Sequence, residues 1–146
     1  MPRSPLLVDA QQFAALPLRH SLEGLEVMLI TSRETGRWVL PKGWAEPDLT
    51  GAELASKEAF EEAGLLGQMC TVADGSYQYA KRLGDGSRRQ CTVTVFCMTV
   101  GEELQDWPER HQRRRMWFKL DDAARVVAEA DLATLLLGLR AREASA

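Results

Sequence analysis

The chain has 146 residues, 45% hydrophobic and 27% charged, with a formal net charge of −3. This length and composition are typical of one soluble domain with its own hydrophobic core, which we expect to span residues 1–146. The acidic net charge argues against a nucleic-acid polymer as partner, because domains that bind one are usually basic. The sequence lacks an apolar run of about 18 residues, so no association with a membrane is expected.

The cysteines favour a reducing compartment. There are three, Cys70, Cys91 and Cys97, which is an odd number without the spacing of a metal site. The N-terminus also lacks the basic-then-apolar pattern of a signal peptide. Together these features predict a cytoplasmic protein with reduced thiols.

The first third of the sequence predicts strands joined by turns, with no regular structure before Gln11. The strands are predicted over residues 11–19, 25–31 and 38–40. Pro17 lies within the first strand and favours an edge or a bulge, because proline has no N–H to donate to a neighbouring strand.

One helix is predicted over residues 51–63. Thr50 and Glu53 have the spacing of a capping box, and Gly64 follows as a C-terminal stop signal. Four small residues recur at three- and four-residue steps and share one face: Ala52, Ala55, Ala59 and Ala63. We expect this face to pack closely against a sheet.

Another face of this helix carries three carboxylates, Glu58, Glu61 and Glu62, at i, i+3 and i+4. Like charges at this spacing repel each other, and a divalent cation would relieve the repulsion. Mg²⁺ and Mn²⁺ prefer oxygen ligands, so the three glutamates are candidate metal ligands. From spacing alone, a solvated charged face with Lys57 paired to Glu61 is the commoner explanation.

The rest of the chain predicts strands followed by helices. Strands are predicted over 69–83 with a break at 74–75, over 90–100, and within 113–120, with a hairpin turn at 84–86 and a polar loop at 101–112. Helices are predicted over 121–129 and 131–141. The second has a leucine stripe that favours packing on the sheet, with a dimer face as the alternative: Leu132, Leu135, Leu136 and Leu139. This order of elements predicts an α/β fold, with helices on both faces of a mixed β-sheet.

The stretch from Gly43 to Leu65 resembles the signature of the Nudix hydrolase family. That signature reads Gly, five residues, Glu, seven residues, then Arg-Glu-aliphatic-any-Glu-Glu-any-Gly-aliphatic. The matching positions are Gly43, Glu58, Glu61, Glu62, Gly64 and Leu65. The resemblance implies a Nudix-type α/β/α sandwich, in which the three glutamates and the backbone carbonyl of Gly43 bind Mg²⁺ or Mn²⁺. It also implies metal-dependent hydrolysis of a diphosphate bond.

Two positions depart from the signature: Leu49 replaces the first Glu, and Lys57 replaces the Arg. In the family these residues support the catalytic helix and orient the neighbouring glutamate. Lys57 keeps the charge without the planar guanidinium, and Leu49 removes the carboxylate that would hold that cation. A non-catalytic Nudix-fold sensor of a nucleotide is therefore an alternative to an enzyme, although the intact glutamates favour catalysis.

Further segments resemble the diphosphoinositol polyphosphate phosphohydrolase subgroup of this family. They are Ser32-Arg33, Trp38 with Pro41, residues 103–109 and residues 113–123. The resemblance implies diphosphoinositol polyphosphates or dinucleoside polyphosphates as substrates. The subgroup's basic residues before the first strand are replaced here by Gln11, Gln12 and Phe13, which weakens the case for the inositol compounds. ADP-ribose and nucleoside triphosphates are alternatives.

Polyphosphate chemistry requires cations around the phosphates and an activated water. The candidate phosphate ligands are Arg33, Lys42, Arg89 and Arg115, from a basic set that also includes Arg88, Arg113 and Arg114. Alternation along a strand predicts that Arg113 and Arg115 share one face and that Arg114 lies on the other.

The sequence leaves the proton acceptor and the base pocket open. The candidate general bases are Glu58, Glu102, Glu103 and Glu109, and the aromatic side chains that could stack a base are Trp44, Tyr77, Tyr79 and Trp107. The expected partner is a small-molecule polyphosphate. The expected assembly is a monomer or a homodimer.

Overall fold

The computed structural model of the protein describes residues 11–145, with side chains to residue 142. The expectation of no regular structure before Gln11 lies outside the described residues. The strands are β1 Gln11–Ser21, β2 Gly24–Thr31, β3 Trp38–Val39, β4 Lys42–Trp44, β5 Leu65–Met69, β6 Gly75–Arg82, β7 Arg88–Glu103 and β8 Arg115–Lys119. The helices are α1 Gly51–Ala63, α2 Leu120–Val126 and α3 Ala130–Ser145. No helix in this part of the chain has the length and apolar character needed to span a bilayer.

The strands form one mixed sheet in the order β3-β2-β1-β7-β5, with β8 paired to β2, β4 to β1 and β6 to β7. β1 and β7 run parallel, whereas the other pairs are antiparallel. The predicted mixed sheet is therefore confirmed. Through these pairings the start of β1 lies between β4 and β7, and the β6–β7 hairpin flanks it.

β1 lies in the middle of the sheet, so the edge position predicted from Pro17 was wrong. The backbone N–H of Ala15 donates to the carbonyl of Pro41 over 3.0 Å, on the side of β1 that faces β4 and β2. Pro17 is two residues further on and presents its nitrogen to the same side. There the partner of β1 changes from β4, whose pairing with β1 ends at Ala14, to β2, whose pairing begins at Leu18. The missing N–H of Pro17 falls in the gap between these two partners.

Alternating side chains of the central strands build one core on each face of the sheet. One core joins the sheet to α1 and contains Ala15, Met28, Ile30, Ala55, Ala59, Ala63 and Phe96. The other joins it to α2 and α3 and contains Leu16, Val27, Leu29, Val93, Leu132, Leu136 and Leu139. The α/β/α sandwich is confirmed. The close-packed alanine face of α1 and the packing of the leucine stripe on the sheet are confirmed as well.

The predicted bounds of α1 are confirmed at both ends. The Thr50 hydroxyl accepts from the Glu53 N–H over 3.1 Å, and the Glu53 carboxylate accepts from the Thr50 N–H over 2.8 Å. Gly64 ends the helix with φ 66°, and its N–H donates to the carbonyls of Ala59 and Phe60. A Cβ at Gly64 would lie 2.6 Å from the ring of Trp107, so both the backbone conformation and the packing require glycine here.

Other boundaries differ from the prediction because of strand pairing. β5 begins at Leu65, directly after the helix cap, and ends at Met69, so the strand before the predicted break at 74–75 lies earlier than expected, while β6 begins at Gly75. β7 continues to Glu103 into the predicted loop, because that end pairs with β5. The three residues of β4 were not predicted as a strand. Their pairing with β1 fixes the loop before α1 against the sheet.

Candidate functional site

A cleft of about 700 Å³ opens between α1, β4, the end of β6 and the loop after β2. Its lining includes the carboxylate residues Glu58, Glu61 and Glu62 together with cationic residues from other elements, namely Arg33, Arg37, Lys42, Lys57, Lys81, Arg82 and Arg113. The structure thus brings all three predicted glutamates together with Arg33 and Lys42. A second concavity of about 500 Å³, beside β8 and α2, contains none of the predicted site residues.

Glu62 is a buried carboxylate at the floor of the cleft, with 7% of the residue exposed. Its Oε1 accepts from the backbone N–H of Lys42 over 3.2 Å, which ties α1 to β4. Its Oε2 lies 3.5 Å from the Arg113 guanidinium. Burial raises the pKa of Glu62, and the charge of Arg113 opposes that effect.

Glu58 lies one turn before Glu62, and the two carboxyl groups hydrogen bond to each other. Burial, this hydrogen bond and the negative charges of Glu62 and Glu61 raise the pKa of Glu58 to about 8. Without a cation, Glu58 therefore carries a proton near neutral pH and donates it to Glu62. A divalent cation that replaced this proton would neutralise the charge of the two carboxylates and take them as ligands.

The raised pKa of Glu58 predicts a pH-dependent stability of the metal-free protein. Its carboxyl titrates at 4.5 when unperturbed and at about 8 in the fold. The folded state holds this proton more tightly, so the contribution to the free energy of unfolding is present below pH 4.5 and is lost as the pH rises to about 8. Glu58→Gln removes the titrating group. In EDTA, its Tm should rise relative to that of the wild type as the pH is raised from 5 to 9.

The matched control for this Tm series is Glu102→Gln, which removes one negative charge at an exposed position at the end of β7. Its Tm should follow that of the wild type across the same pH range. Parallel curves for wild type and Glu58→Gln would contradict the raised pKa.

The carbonyl groups at the end of α1 are all paired, and this holds the acidic helix in place. The donors come from the segment between β7 and β8 and from Arg115: Glu109 N–H to Glu61 O (3.0 Å), Trp107 Nε1 to Glu62 O (3.2 Å), Arg115 to Ala63 O (2.8 Å) and Leu104 N–H to Gly64 O (2.8 Å). These groups have no partner inside the helix. The sequence analysis missed this support. The features of the sequence that could have revealed it are Trp107 and the arginine run at 113–115, which lie in and next to the segment between β7 and β8.

Arg113 connects three elements around the cleft. Its side chain is only 8% exposed, and its Nε lies 2.8 Å from the Glu109 carboxylate. The guanidinium also approaches Glu62 and donates to the carbonyl of Thr31 over 3.1 Å. Arg113 is therefore a positioning residue for Glu62 and Glu109.

The predicted phosphate ligands do not all reach the cleft. Arg33 lies in its lining and donates to the Gln112 side chain over 3.0 Å. Arg89 lies outside the lining, with its guanidinium 5.7 Å from the ring centre of Trp44. Arg115 stacks on Trp107 at 3.9 Å and binds the end of α1, so the structure places it away from the cleft.

The alternation predicted for the arginine run is confirmed. Arg113 and Arg115 both point toward α1, whereas the guanidinium of Arg114 lies 5.8 Å from the ring centre of Trp38 in the opposite core.

Lys57 has a carboxylate partner despite the leucine at position 49. Its Nζ lies 2.9 Å from the carboxylate of Glu46, three residues before Leu49. Glu46 thus supplies a carboxylate in place of the one that Leu49 removes. Both side chains are about 40% exposed, so the pair orients Lys57 more than it stabilises the fold.

The candidate general bases and the candidate base-stacking aromatic residues differ in whether they lie in the cleft. Glu109 lies in the cleft lining, whereas Glu102 and Glu103 lie at the end of β7 outside it. Among the aromatic residues, Trp44 and Tyr79 line the cleft. Tyr77 is buried in the core, and Trp107 supports α1.

The residues around Glu58 and Glu62 fit a divalent cation that is completed by other oxygen ligands. Within residues 11–145, no three His, Cys, Asp or Glu side chains converge closely enough to hold a metal alone. A Cβ at Gly43 would lie 2.7 Å from the carboxyl carbon of Glu58, so the backbone of β4 packs directly on the carboxylates. Mg²⁺ commonly takes one or two carboxylates, with water and substrate phosphates supplying the remaining ligands.

Comparison with known proteins gives consistent matches. The NUDIX domain model matches residues 12–137. The chain is 37% identical over 102 residues to Nudix hydrolase 12, mitochondrial, of Arabidopsis thaliana, covering 68% of the chain and 50% of the relative, and thus spans about half that protein's length. It is 32% identical over 116 residues to diphosphoinositol polyphosphate phosphohydrolase 3-beta of Bos taurus, covering 78% of the chain and 66% of the relative. A C. elegans Ap4A hydrolase structure shares the fold at a TM-score of 0.69 and 20% identity, covering 94% of the chain and 99% of that structure.

Proposed function

The chain belongs to the Nudix domain family, and we propose that it hydrolyses a diphosphate bond in a small polyphosphate substrate with the help of Mg²⁺ or Mn²⁺. The observation that carries this proposal is the convergence of Glu58, Glu61 and Glu62 in one cleft with cationic side chains from other elements, with the backbone of Gly43 packed on Glu58. Carboxylates that need a cation, next to side chains that suit phosphates, are the combination that this chemistry requires.

The proposed metal ligands are Glu58, Glu61, Glu62 and the backbone carbonyl of Gly43. A cation bound there supplies Lewis-acid polarisation of the phosphate and lowers the pKa of a bound water. Arg113 and the Lys42 N–H hold the Glu62 carboxylate in place. The signature departures at positions 49 and 57 leave these contacts intact.

Glu58 is the proton acceptor that we propose among the candidates. Its carboxyl group lies in the cleft lining against the backbone of Gly43, and no ion pair between described residues engages it. Glu109 also lies in the cleft, but its carboxylate is engaged by Arg113 over 2.8 Å. Arg33 and Lys42 are placed to bind the phosphates.

The substrates that we favour are dinucleoside polyphosphates and then diphosphoinositol polyphosphates. The names of the bovine relative and of the C. elegans structure support these two classes. Trp44 and Tyr79 line the cleft and offer aromatic surfaces for a nucleobase, which an inositol compound does not need. This ordering therefore rests on the aromatic lining.

We also propose the domain organisation, the assembly, the partners and the compartment of the protein. Residues 1–146, with the signature at 43–65, form a single Nudix domain that acts as a monomer or a homodimer on a small molecule, with no nucleic-acid polymer and no membrane as partner. The described cysteines are free, which supports a reducing compartment such as the cytoplasm.

Product release from a substrate panel tests the proposal. The panel contains dinucleoside polyphosphates of increasing length, a diphosphoinositol polyphosphate, ADP-ribose and nucleoside triphosphates, each with Mg²⁺, with Mn²⁺ and with EDTA. We expect metal-dependent turnover of the first two classes. Turnover of only the last two would reject the substrate classes and retain the hydrolase. Binding without turnover across the panel would reject the hydrolase in favour of a nucleotide sensor.

A further inference from the structure

Two cysteines face each other across the antiparallel strands β5 and β7. Met69 lies opposite Met98 in the register, so the next residues along, Cys70 and Cys97, lie opposite each other. The backbone N–H of Cys70 donates to the carbonyl of Cys97 over 2.9 Å, which extends the pairing by one residue. Directly paired residues point to the same face of a sheet. Cys97 packs on the core beneath α2 and α3, so both thiols lie on that face.

The spacing of this pair suits a disulfide bond. Residues joined by backbone hydrogen bonds across antiparallel strands have Cα atoms about 5.5 Å apart, and disulfides span Cα distances of about 4.4–6.8 Å. Such a pair normally exchanges two backbone hydrogen bonds. Here the N–H of Cys97 donates to the Asp74 carboxylate over 3.0 Å instead. Cys70 is therefore held to Cys97 through its own N–H, which leaves it free to adjust when a sulfur–sulfur bond forms.

The segment that carries Cys70 leaves the sheet edge and then returns to it. β5 ends at Met69, and the N–H of Asp74 donates to the carbonyl of Val95 over 2.8 Å. Residues 70–74 thus lie opposite the shorter stretch 95–97 and bulge outward, and the Val72 side chain within them is 77% exposed. A small shift of Cys70 toward Cys97 therefore disturbs little packing.

The two thiols differ in accessibility and in acidity. Cys70 is exposed, whereas Cys97 is half-buried. Burial raises the pKa of Cys97, and the hydrogen bond and negative charge of the Asp74 carboxylate raise it further. The thiolate is the reactive form of a cysteine, so Cys97 is shielded from reagents in two ways. An oxidant should therefore react with Cys70 first.

We propose that Cys70 and Cys97 form a reversible disulfide, with a small-molecule disulfide such as oxidised glutathione as the oxidant. The Cys70 thiolate attacks one sulfur of the oxidant and displaces a glutathione thiolate, which leaves a mixed disulfide on Cys70. Cys97 then releases its proton to solvent and attacks the Cys70 sulfur, which displaces the second glutathione. The two protein thiols are oxidised, and one glutathione disulfide is reduced to two thiols.

This bridge is separate from the proposed reaction. Neither cysteine is among the described residues that line the cleft, and Asp74 is not among them either. The bridge ties the end of β5 to β7, and it converts the exposed thiol into a form that reductants restore, before irreversible oxidation. Cys91 offers a control, because it lies six residues before Cys97 on the same strand, roughly 20 Å away.

Equilibration of the full chain in glutathione redox buffers, followed by peptide mapping without reduction, tests the proposal. In the oxidising buffers the wild type should yield a linked pair of peptides containing Cys70 and Cys97, with Cys91 left free. Cys97→Ser should stop at the glutathione adduct of Cys70. Cys70→Ser should stay unmodified at Cys97, and Cys91→Ala should form the same bridge as the wild type.

Thermal unfolding gives a second readout. The oxidised wild type should have a Tm roughly 5–15 °C above that of the reduced protein, because the bridge constrains the unfolded chain. Cys97→Ser should lack this rise. A wild type that ends as the glutathione adduct of Cys70, or as two chains joined through Cys70, would overturn the proposal. None of these outcomes depends on turnover of any substrate.

Discussion

Glu62→Gln should lower kcat/KM by about 100- to 1,000-fold, the loss typical of removing one electrostatic group at a reaction centre. The change replaces a carboxylate oxygen by an amide of the same shape, so the packing around α1 is preserved. The remaining amide oxygen can still accept from the backbone N–H of Lys42, as Glu62 does now over 3.2 Å. The loss should therefore appear in catalysis and metal dependence, with little change in the fold.

The measurement is steady-state hydrolysis of the best panel substrate at saturating Mg²⁺, with circular dichroism as the check on folding. Glu102→Gln is the matched control, because it removes the same charge outside the cleft and should retain wild-type kcat/KM. Wild-type turnover in Glu62→Gln would remove this residue from the proposed metal site.

Arg113→Met should lower the free energy of unfolding by about 3–5 kcal/mol, the cost of leaving buried carboxylates without their partner. The guanidinium is 8% exposed, and it contacts Glu62 and Glu109 at 3.5 and 2.8 Å. Methionine fills much of the same volume, so the effect reports lost pairing more than a cavity. For a chain of this size the change corresponds to a Tm lowered by roughly 10–15 °C.

Thermal unfolding of Arg113→Met and Arg114→Met measures this effect with a neighbouring control. Arg114 is exposed, and its replacement should stay within about 0.5 kcal/mol of the wild type. Arg113→Lys should recover part of the stability, because it keeps the charge without the fork that reaches several partners. Equal Tm values for Arg113→Met and Arg114→Met would contradict the positioning role of Arg113.

Local signals in the sequence were enough to predict the bounds of α1 and the alternation of the arginine run between the two faces of the sheet. The capping box at Thr50 and the stop at Gly64 satisfy backbone groups within a few residues, so the helix bounds do not depend on the rest of the fold. The three glutamates follow from the periodicity of that helix. Their position in a cleft depends in addition on the pairing of β4 with β1.

The errors in the sequence analysis arose where distant partners decide the structure. Pro17 is accommodated in a central strand because two different strands meet beside it, and a strand's own sequence does not reveal its neighbours. Arg115 was predicted to bind phosphate, and the structure places its donors on the carbonyls of Ala63 and Gly64 at the end of α1 and on that of Leu104. Glu46 takes over the carboxylate partnership with Lys57 from a position that the family signature does not mark.

Binding of Mn²⁺, followed by the electron paramagnetic resonance signal of the free ion, tests the central claim most directly. The claim is that the carboxylates of α1 hold a divalent cation, and the measurement needs no knowledge of the substrate. Wild-type protein should remove the free-ion signal in a saturable way, while Glu62→Gln should leave it nearly unchanged and Glu102→Gln should behave as wild type. Equal removal of the signal by wild type and Glu62→Gln, or none by the wild type, would contradict the proposed metal site.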